Sequence, residues 1–331
     1  MSSVPAKCIA VLGTGSAGMR HLEALRAMDS VKTFAIPARQ DRVAELRSAG
    51  FDVAPNLQEA VDSGVTACII ATNTGRHKQD SLLAMAHDLD VLVEKPLAID
   101  SSEAAAIDAC ARERRRKLFV GCVLRFSESL NTFRTLIAAV GELHSVRIEC
   151  QSYLPDWRPA RPFRESYSAC AGEGGVLRDL IHEIDYAGWL FGWPTTVLAR
   201  VHNLGRLGIH SDEVAELSWE TAQHCIVSVG LDYLTRAPRR LVRALGERGT
   251  LEWNGIEQTV TLKLADAPQE IIRSAQTRTE MLSSQDAAFL NAVAGVNDER
   301  LTTGREGVTA LAVCDAARLA SSHRREEKVE Q

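Results

Sequence analysis

CIAVLGTGSAGMRHLEALRAM, residues 8–28, decides the fold. Its first part, Cys8 to Gly13, is a short continuous apolar run and reads as a buried strand. Met19, Leu22, Leu25, Arg26 and Met28 follow at helical spacing. Between strand and helix lies GTGSAG, Gly13 to Gly18. A G-x-G-x-x-G in this context is the dinucleotide fingerprint. Gly13 makes the tight turn, Gly15 lets backbone approach a pyrophosphate, and Gly18 lets helix and strand pack closely. Thr14, Ser16 and Ala17 complete the loop, and the helix N-terminus offers N–H groups to phosphates.

Further along, apolar runs at 31–37, 66–72, 91–96 and 118–124 alternate with helical patterns at 41–50 and 77–87. Uniformly apolar strands separated by helices predict a parallel sheet covered on both faces. After about residue 122 the pattern changes. Segments at 144–154, 195–204, 213–221, 224–234, 240–246 and 257–264 alternate apolar and polar residues, as strands with one buried face do. LGERGT and WNGI read as turns. Helices are expected around 283–295 and 304–321, with a polar tail that frays. The expected division is a nucleotide-binding domain over 1–122 and a second α/β domain over 123–331.

Composition limits the partners. The 331 residues carry a net charge of −5, whereas a nucleic-acid binder usually has a basic excess. The run Arg112 to Lys117 suits a helix end and solvent. No stretch approaches about 20 apolar residues, so no membrane partner is expected. Eight scattered cysteines without a C-x-x-C pair fit reduced thiols in a soluble cytoplasmic protein.

Ligands of such sheets lie beyond the carboxyl ends of the strands. Around the second strand's end, AIPARQDR has Ala38 at the position usually acidic in NAD binders, followed by Arg39. A guanidinium there suits the 2′-phosphate of NADP. Asp41 would serve the 2′-hydroxyl of NAD instead. Thr72 and Asn73 follow the next apolar strand, and His77 starts the helix after it. VLVEKP then puts Glu94 and Lys95 at a strand tip. A lysine there can hydrogen-bond a reacting oxygen or take part in proton transfer.

GEGGVLRDLIHEIDYAGWLFG, residues 172–192, crowds Asp179, His182, Glu183 and Asp185 into an apolar segment. HEIDY lacks the second histidine of a zinc helix, so no metal is expected. A glycosidase carboxylate pair, a redox proton relay and an ordinary helix histidine remain alternatives. On one helix, Asp179, His182, Glu183 and Tyr186 share a face, with Asp185 elsewhere. The preceding loop, 152–175, holds Tyr153, Trp157, Arg158, Arg161, Arg164 and Tyr167. Aromatics stack on sugars or bases and arginines hold carboxylates or phosphates, which suggests an anionic sugar. Arg125 ends a strand and is a further substrate candidate.

With GTGSAG near the start, EKP at 94–96, GG-x-L…H-x-I-D at 174–185 and G-x-x-G-T-L-E-W at 246–253, the chain resembles the glucose–fructose oxidoreductase/inositol dehydrogenase/MocA family. The resemblance implies an N-terminal Rossmann domain and a C-terminal α/β domain on a large open mixed sheet. It implies a homodimer or homotetramer formed through that sheet. It also implies NADP- or NAD-dependent oxidation or reduction of a secondary alcohol or ketone on a sugar, inositol, sugar acid or sugar nucleotide. In that family a lysine matching Lys95 polarises the reacting oxygen and a histidine matching His182 is the general acid/base. Many members place an acid four residues before the histidine. Here Arg178 occupies that position and Asp179 stands three before. A non-catalytic cofactor-binding regulator and an NAD-dependent glycosidase of the same fold are the alternatives.

Overall fold

The computed structural model describes residues 7–159 and 162–330. Its elements begin β1 (Lys7–Leu12), α1 (Ser16–Arg26), β2 (Val31–Ile36), α2 (Arg42–Ser48), β3 (Asp52–Val53) and α3 (Leu57–Asp62). Next come β4 (Ala67–Ile70), α4 (His77–Ala86), β5 (Asp90–Glu94), α5 (Ser101–Arg114), β6 (Leu118–Gly121) and α6 (Glu128–Leu136). Then follow β7 (Leu143–Gln151), α7 (Val176–Asp179), α8 (Ile181–Phe191), β8 (Thr196–His202), β9 (Val214–Glu220) and β10 (Ile226–Asp232). The rest are β11 (Arg239–Gly246), β12 (Gly249–Asn254), β13 (Thr259–Leu264), β14 (Glu270–Arg273), α9 (Arg278–Val293), β15 (Thr302–Thr303), α10 (Gly304–His323) and β16 (Glu327–Lys328). The chain forms two compact units.

The first unit is built on a sheet of order β15-β6-β5-β4-β1-β2-β3. All its pairings are parallel except β15 on β6. Read from the other edge, strands 3-2-1-4-5-6 have the dinucleotide-binding order, which reverses between β1 and β4. The apolar strands form because both faces are covered: β4 is buried throughout, as are Ile9 to Leu12 of β1. Leu22 and Leu25 of α1 lie against this core.

The second unit is not the unbroken stretch 123–331 expected from sequence. The first unit takes in residues up to Phe126, apart from Ile99–Ser101, and also Thr277–Val308. The cause is apolar: Phe289 and Ala292 of α9 are fully buried in the same core as Ile9, Leu22 and Ile69. Lys7 Nζ also donates to Asn291 Oδ1 at 2.9 Å.

In the second unit nine strands run β14-β13-β12-β11-β7-β10-β9-β8-β16. Among the described residues of this sheet, only β7 and β10 pair in parallel. Alternation along the strands follows the expectation: in β9, Ala215, Leu217 and Trp219 are buried while Glu216 and Glu220 are exposed. Strand β12 lies between the two predicted turns, and Asn254 Oδ1 accepts from the N–H groups of Ile256 and Glu257 in the second. The tail does not fray as expected. Glu327 and Lys328 pair with β8, and Val329 is buried beside them. Among the described residues no helix is long and apolar enough to cross a membrane.

Candidate active site

Strand β1 ends where the loop of residues 13–18 turns into α1. Gly13 has φ +96°, and a Cβ there would lie 2.6 Å from the Ala71 carbonyl oxygen at the end of β4. A Cβ on Gly18 would lie 1.9 Å from the Gly13 carbonyl oxygen. Gly15 is the opposite case, with nothing within 4 Å of its missing Cβ. Two glycines are therefore needed by the protein itself, and the third borders open space. Thr14 is buried, Gly15 and Ser16 are exposed, and Ala17 is half-buried. No side chain caps the N-terminus of α1, and its first turn carries no acid. Uncapped N–H groups beside a space without side chains fit a dinucleotide pyrophosphate.

Beyond β2, Ala38 and Arg39 are exposed, and the Arg39 guanidinium lies 3.5 Å from the Asp41 carboxylate. Beyond β4, Asn73 is exposed and Thr72 Oγ1 donates to Asp80 at 2.7 Å. His77 is not open to a cofactor as expected. It is buried, with Nδ1 2.8 Å from the Pro96 carbonyl oxygen and Nε2 3.1 Å from that of Thr72. Burial lowers its pKa despite these carbonyls. A neutral imidazole donates to one of these two carbonyls, and the ring fills the space between the segments that follow β4 and β5.

At the tip of β5, Glu94 and Lys95 are half-buried. Glu94 belongs to a charged cluster that sequence reading missed. His21 of α1 is fully buried, with Nδ1 2.9 Å from both carboxylate oxygens of Asp286 and Nε2 3.1 Å from Glu94 Oε1. Burial opposes its charge, but Asp286 and Glu94 outweigh burial and push its pKa up to about 10. Burial would raise Glu94, yet the hydrogen bond and charge of His21 hold it below the usual carboxylate range. Asp286, whose burial outweighs the imidazolium, is raised. The available signal was a histidine on the buried face of α1, three residues after Gly18.

The 172–192 segment is not one helix. Leu180, with φ −99° and ψ 29°, separates α7 from α8, so the expected shared face does not form. Asp179 accepts a 2.6 Å hydrogen bond from the Tyr233 hydroxyl. Glu183 is fully buried and accepts from Arg240 Nε at 2.8 Å, and Arg240 also donates to Cys150 Sγ. Tyr186 is fully buried, edge-on to Trp253. Asp185 is buried. From Gly174 to Gly188 every residue is buried except His182, which is half-buried.

Arg178, where many relatives of the resembled family have an acid, is a backbone anchor. Its Nε donates to the Ile99 carbonyl at 2.6 Å, and Nη1 donates to those of Ala171 and Gly174 at 3.1 Å. Burial, then repulsion from Arg318, lowers its pKa. Beside it a Cβ on Gly174 would meet the Tyr167 carbonyl oxygen at 2.2 Å, and Gly175 has φ +101°, which together account for the paired glycines.

The loop from 152 folds into short 3-10 turns over 154–156, 163–165 and 167–169. Trp157 lies edge-on to Tyr233, centroids 5.4 Å apart, so the loop reaches the Asp179 partner. Tyr153 carries the Arg236 guanidinium 3.5 Å above its ring, and Arg158 is exposed, 5.8 Å from the Tyr167 ring. Arg164 donates to the Leu207 carbonyl. Arg161 lies outside the described residues. Arg125, expected to face the substrate, is fully buried in the first unit and ion-paired to Glu306 at 2.8 Å. Tyr233, Arg236 and Arg240 were missed because they come from strand ends far along the chain.

Residues 7–122 match the profile of an oxidoreductase family with an NAD-binding Rossmann fold, and residues 131–252 match a GFO/IDH/MocA C-terminal domain. The chain is 27% identical over 260 residues to the myo-inositol dehydrogenase Hyg17 of Streptomyces leeuwenhoekii, covering 74% of this chain and 75% of that protein. It is 32% identical over 202 residues to an inositol 2-dehydrogenase of Streptomyces avermitilis, covering 57% and 54%. Its fold is similar to that of levoglucosan dehydrogenase in complex with NADH, with a TM-score of 0.88, 18% identity and coverage of 98% and 99%.

Proposed function

The chain belongs to the GFO/IDH/MocA oxidoreductase family, and from that premise we propose that it moves a hydride to or from a secondary alcohol or ketone of a sugar-like substrate. The nicotinamide supplies or accepts the hydride when bound. The 13–18 loop holds the pyrophosphate, and Thr72 and Asn73 offer contacts to the nicotinamide ribose. Lys95 hydrogen-bonds and polarises the reacting oxygen. His182 takes the hydroxyl proton in oxidation and returns it in reduction. Asp179, steadied by Tyr233, supports His182. The observation that carries this reading is that His182 alone within the buried 174–188 span keeps some accessible surface. Burial elsewhere in the span leaves it as the group able to meet a substrate.

The substrate is proposed to be anionic, a sugar acid or sugar nucleotide, on the strength of exposed Arg158 near the Tyr167 ring, in the loop that also holds Tyr153 and Trp157. Leu198, Ile226, Leu245 and Ile271 are exposed on the strands of the large sheet. Such apolar exposure supports a homodimer or homotetramer through that face. Incubation with NADP or NAD and a panel of inositols, sugar acids and sugar nucleotides is expected to change absorbance at 340 nm with at least one member. Cofactor binding without turnover of any member would favour a regulator, and release of a sugar without net reduction a glycosidase.

The proposed cofactor is NADP, with NAD as the alternative. Ala38 offers no carboxylate to a ribose hydroxyl, and the exposed Arg39–Asp41 pair is of a kind worth about 0–1 kcal/mol, so a 2′-phosphate competes easily for the guanidinium. Thermal-shift titration is expected to give an affinity roughly ten-fold higher for NADP, matching about 1.4 kcal/mol from one charge-assisted contact. Arg39→Ala should erase the difference. A preference for NAD would overturn this choice.

A further inference from the structure

His21 stands between two acceptors. Both ring nitrogens face carboxylate oxygens, Asp286 on one side and Glu94 on the other. An ionised carboxylate only accepts, so two such contacts require two N–H donors on the ring. With Asp286 and Glu94 ionised, the imidazole is therefore a buried cation.

The consequence reaches the strand tip. Glu94 Oε1 is taken by His21, and Glu94 Oε2 accepts the Lys95 backbone N–H at 3.1 Å. A Cβ on Gly121 would come within 3.2 Å of Glu94 Cα, so β6 packs closely behind it. The Glu94 carboxylate thus has both oxygens used by the protein, rather than one free for a ligand. The same helix, α1, presents its N-terminus at Gly15 and carries His21 two turns later. It ties the phosphate-binding loop to the residue before Lys95. Asp286 comes from α9, which gives the return of residues 277–308 to this unit a charged role besides its apolar one.

We propose that His21 is a positioning residue for hydride transfer: held by Asp286, it fixes the Glu94 carboxylate that accepts the Lys95 N–H and so sets where Lys95 leaves β5. This rests on the reading that Lys95 acts on the reacting oxygen. Misplacing a reacting group by about 1 Å can cost on the order of 100-fold in rate. Gln at position 21 can reach one carboxylate but cannot bridge both as a cation.

The test uses the whole protein and the panel alcohol with the highest turnover, with active sites counted by NADPH fluorescence titration. His21→Gln is expected to lower kcat per cofactor site by roughly 10- to 100-fold, with cofactor affinity within about three-fold. The double variant His21→Gln/Lys95→Ala should be no slower than Lys95→Ala, because a positioning effect vanishes with the group positioned. A purely structural histidine would lower yield and thermal midpoint while leaving kcat per site unchanged. An unchanged kcat per site, or additive losses in the double variant, overturns the proposal. Should His21→Gln not fold, Asp286→Asn is measured in its place, with the same expectation and the same overturning result. Nitrogen-15 histidine spectra of the unmodified protein near pH 7.5 are expected to show the His21 ring doubly protonated, and a neutral His21 overturns the clamp itself. Wild-type kcat in Lys95→Ala would instead sink the reading of Lys95, and the spectra would still report on the clamp.

Discussion

Gly18→Ala is expected to abolish folding of the first unit, while Gly15→Ala folds and loses cofactor. The methyl of Gly18→Ala would sit 1.9 Å from the Gly13 carbonyl oxygen. Backbone cannot swing away as a flexible side chain can. Gly13 is itself confined at φ +96°, with its own Cβ direction blocked by Ala71. Overpacking against movable side chains typically costs about 1–3 kcal/mol. Against fixed backbone the cost is larger, and a domain holds only about 5–15 kcal/mol in all. Gly15 has an extended conformation, φ −73° and ψ −168°, that alanine adopts freely. Its methyl meets no protein atom within 4 Å. The loss should then fall on binding, by ten-fold or more, about 1.4 kcal/mol. Circular-dichroism melts and cofactor titration of the two variants decide it. Native melting of Gly18→Ala would contradict the packing argument. Native affinity in Gly15→Ala would place the pyrophosphate elsewhere.

The fingerprint shows which kind of information a sequence carries plainly. Gly13, Gly15 and Gly18 have distinct roles that follow from local geometry, and β1 and β4 are apolar because helices cover both sides. Those features leave a local mark in the sequence, even where the contact behind it, such as Ala71 against Gly13, is distant. His21 and Asp286 are different: they are 265 positions apart, and each looks like one more polar residue on a helix of mixed polar and apolar residues. Arg125 misleads in the same way. A basic residue after a strand reads as exposed, but its partner Glu306 lies 181 positions on. The break at Leu180 has no proline or glycine to announce it. The helix bends there, and Asp179 meets Tyr233 from β10's end while Glu183 meets Arg240 from β11. Strand β16 is only two residues long, held by pairing to β8 and by buried Val329, too short for any periodic signal.

His182→Ala and Glu183→Ala, adjacent in sequence, are expected to fail in different ways. His182 is the one half-buried residue in the otherwise buried span from 174 to 188, so alanine there removes less packing than at its neighbours. Loss of a general acid/base should lower kcat by roughly 10²- to 10⁴-fold. Cofactor affinity and melting should stay near wild type. Glu183 is fully buried against Arg240, and its removal leaves a guanidinium without its carboxylate among Cys150 and Tyr186. Breaking one side of such a pair costs about 3–5 kcal/mol. The melting midpoint should fall by roughly 10 °C, while kcat per folded, cofactor-binding molecule stays within a few-fold. Both measurements are needed, because total activity falls in each variant. If His182→Ala instead melts early and keeps its kcat per site, the histidine belongs to the packing of α8. The proton would then have to leave by another group, and Asp179 with Tyr233 would be the pair to examine.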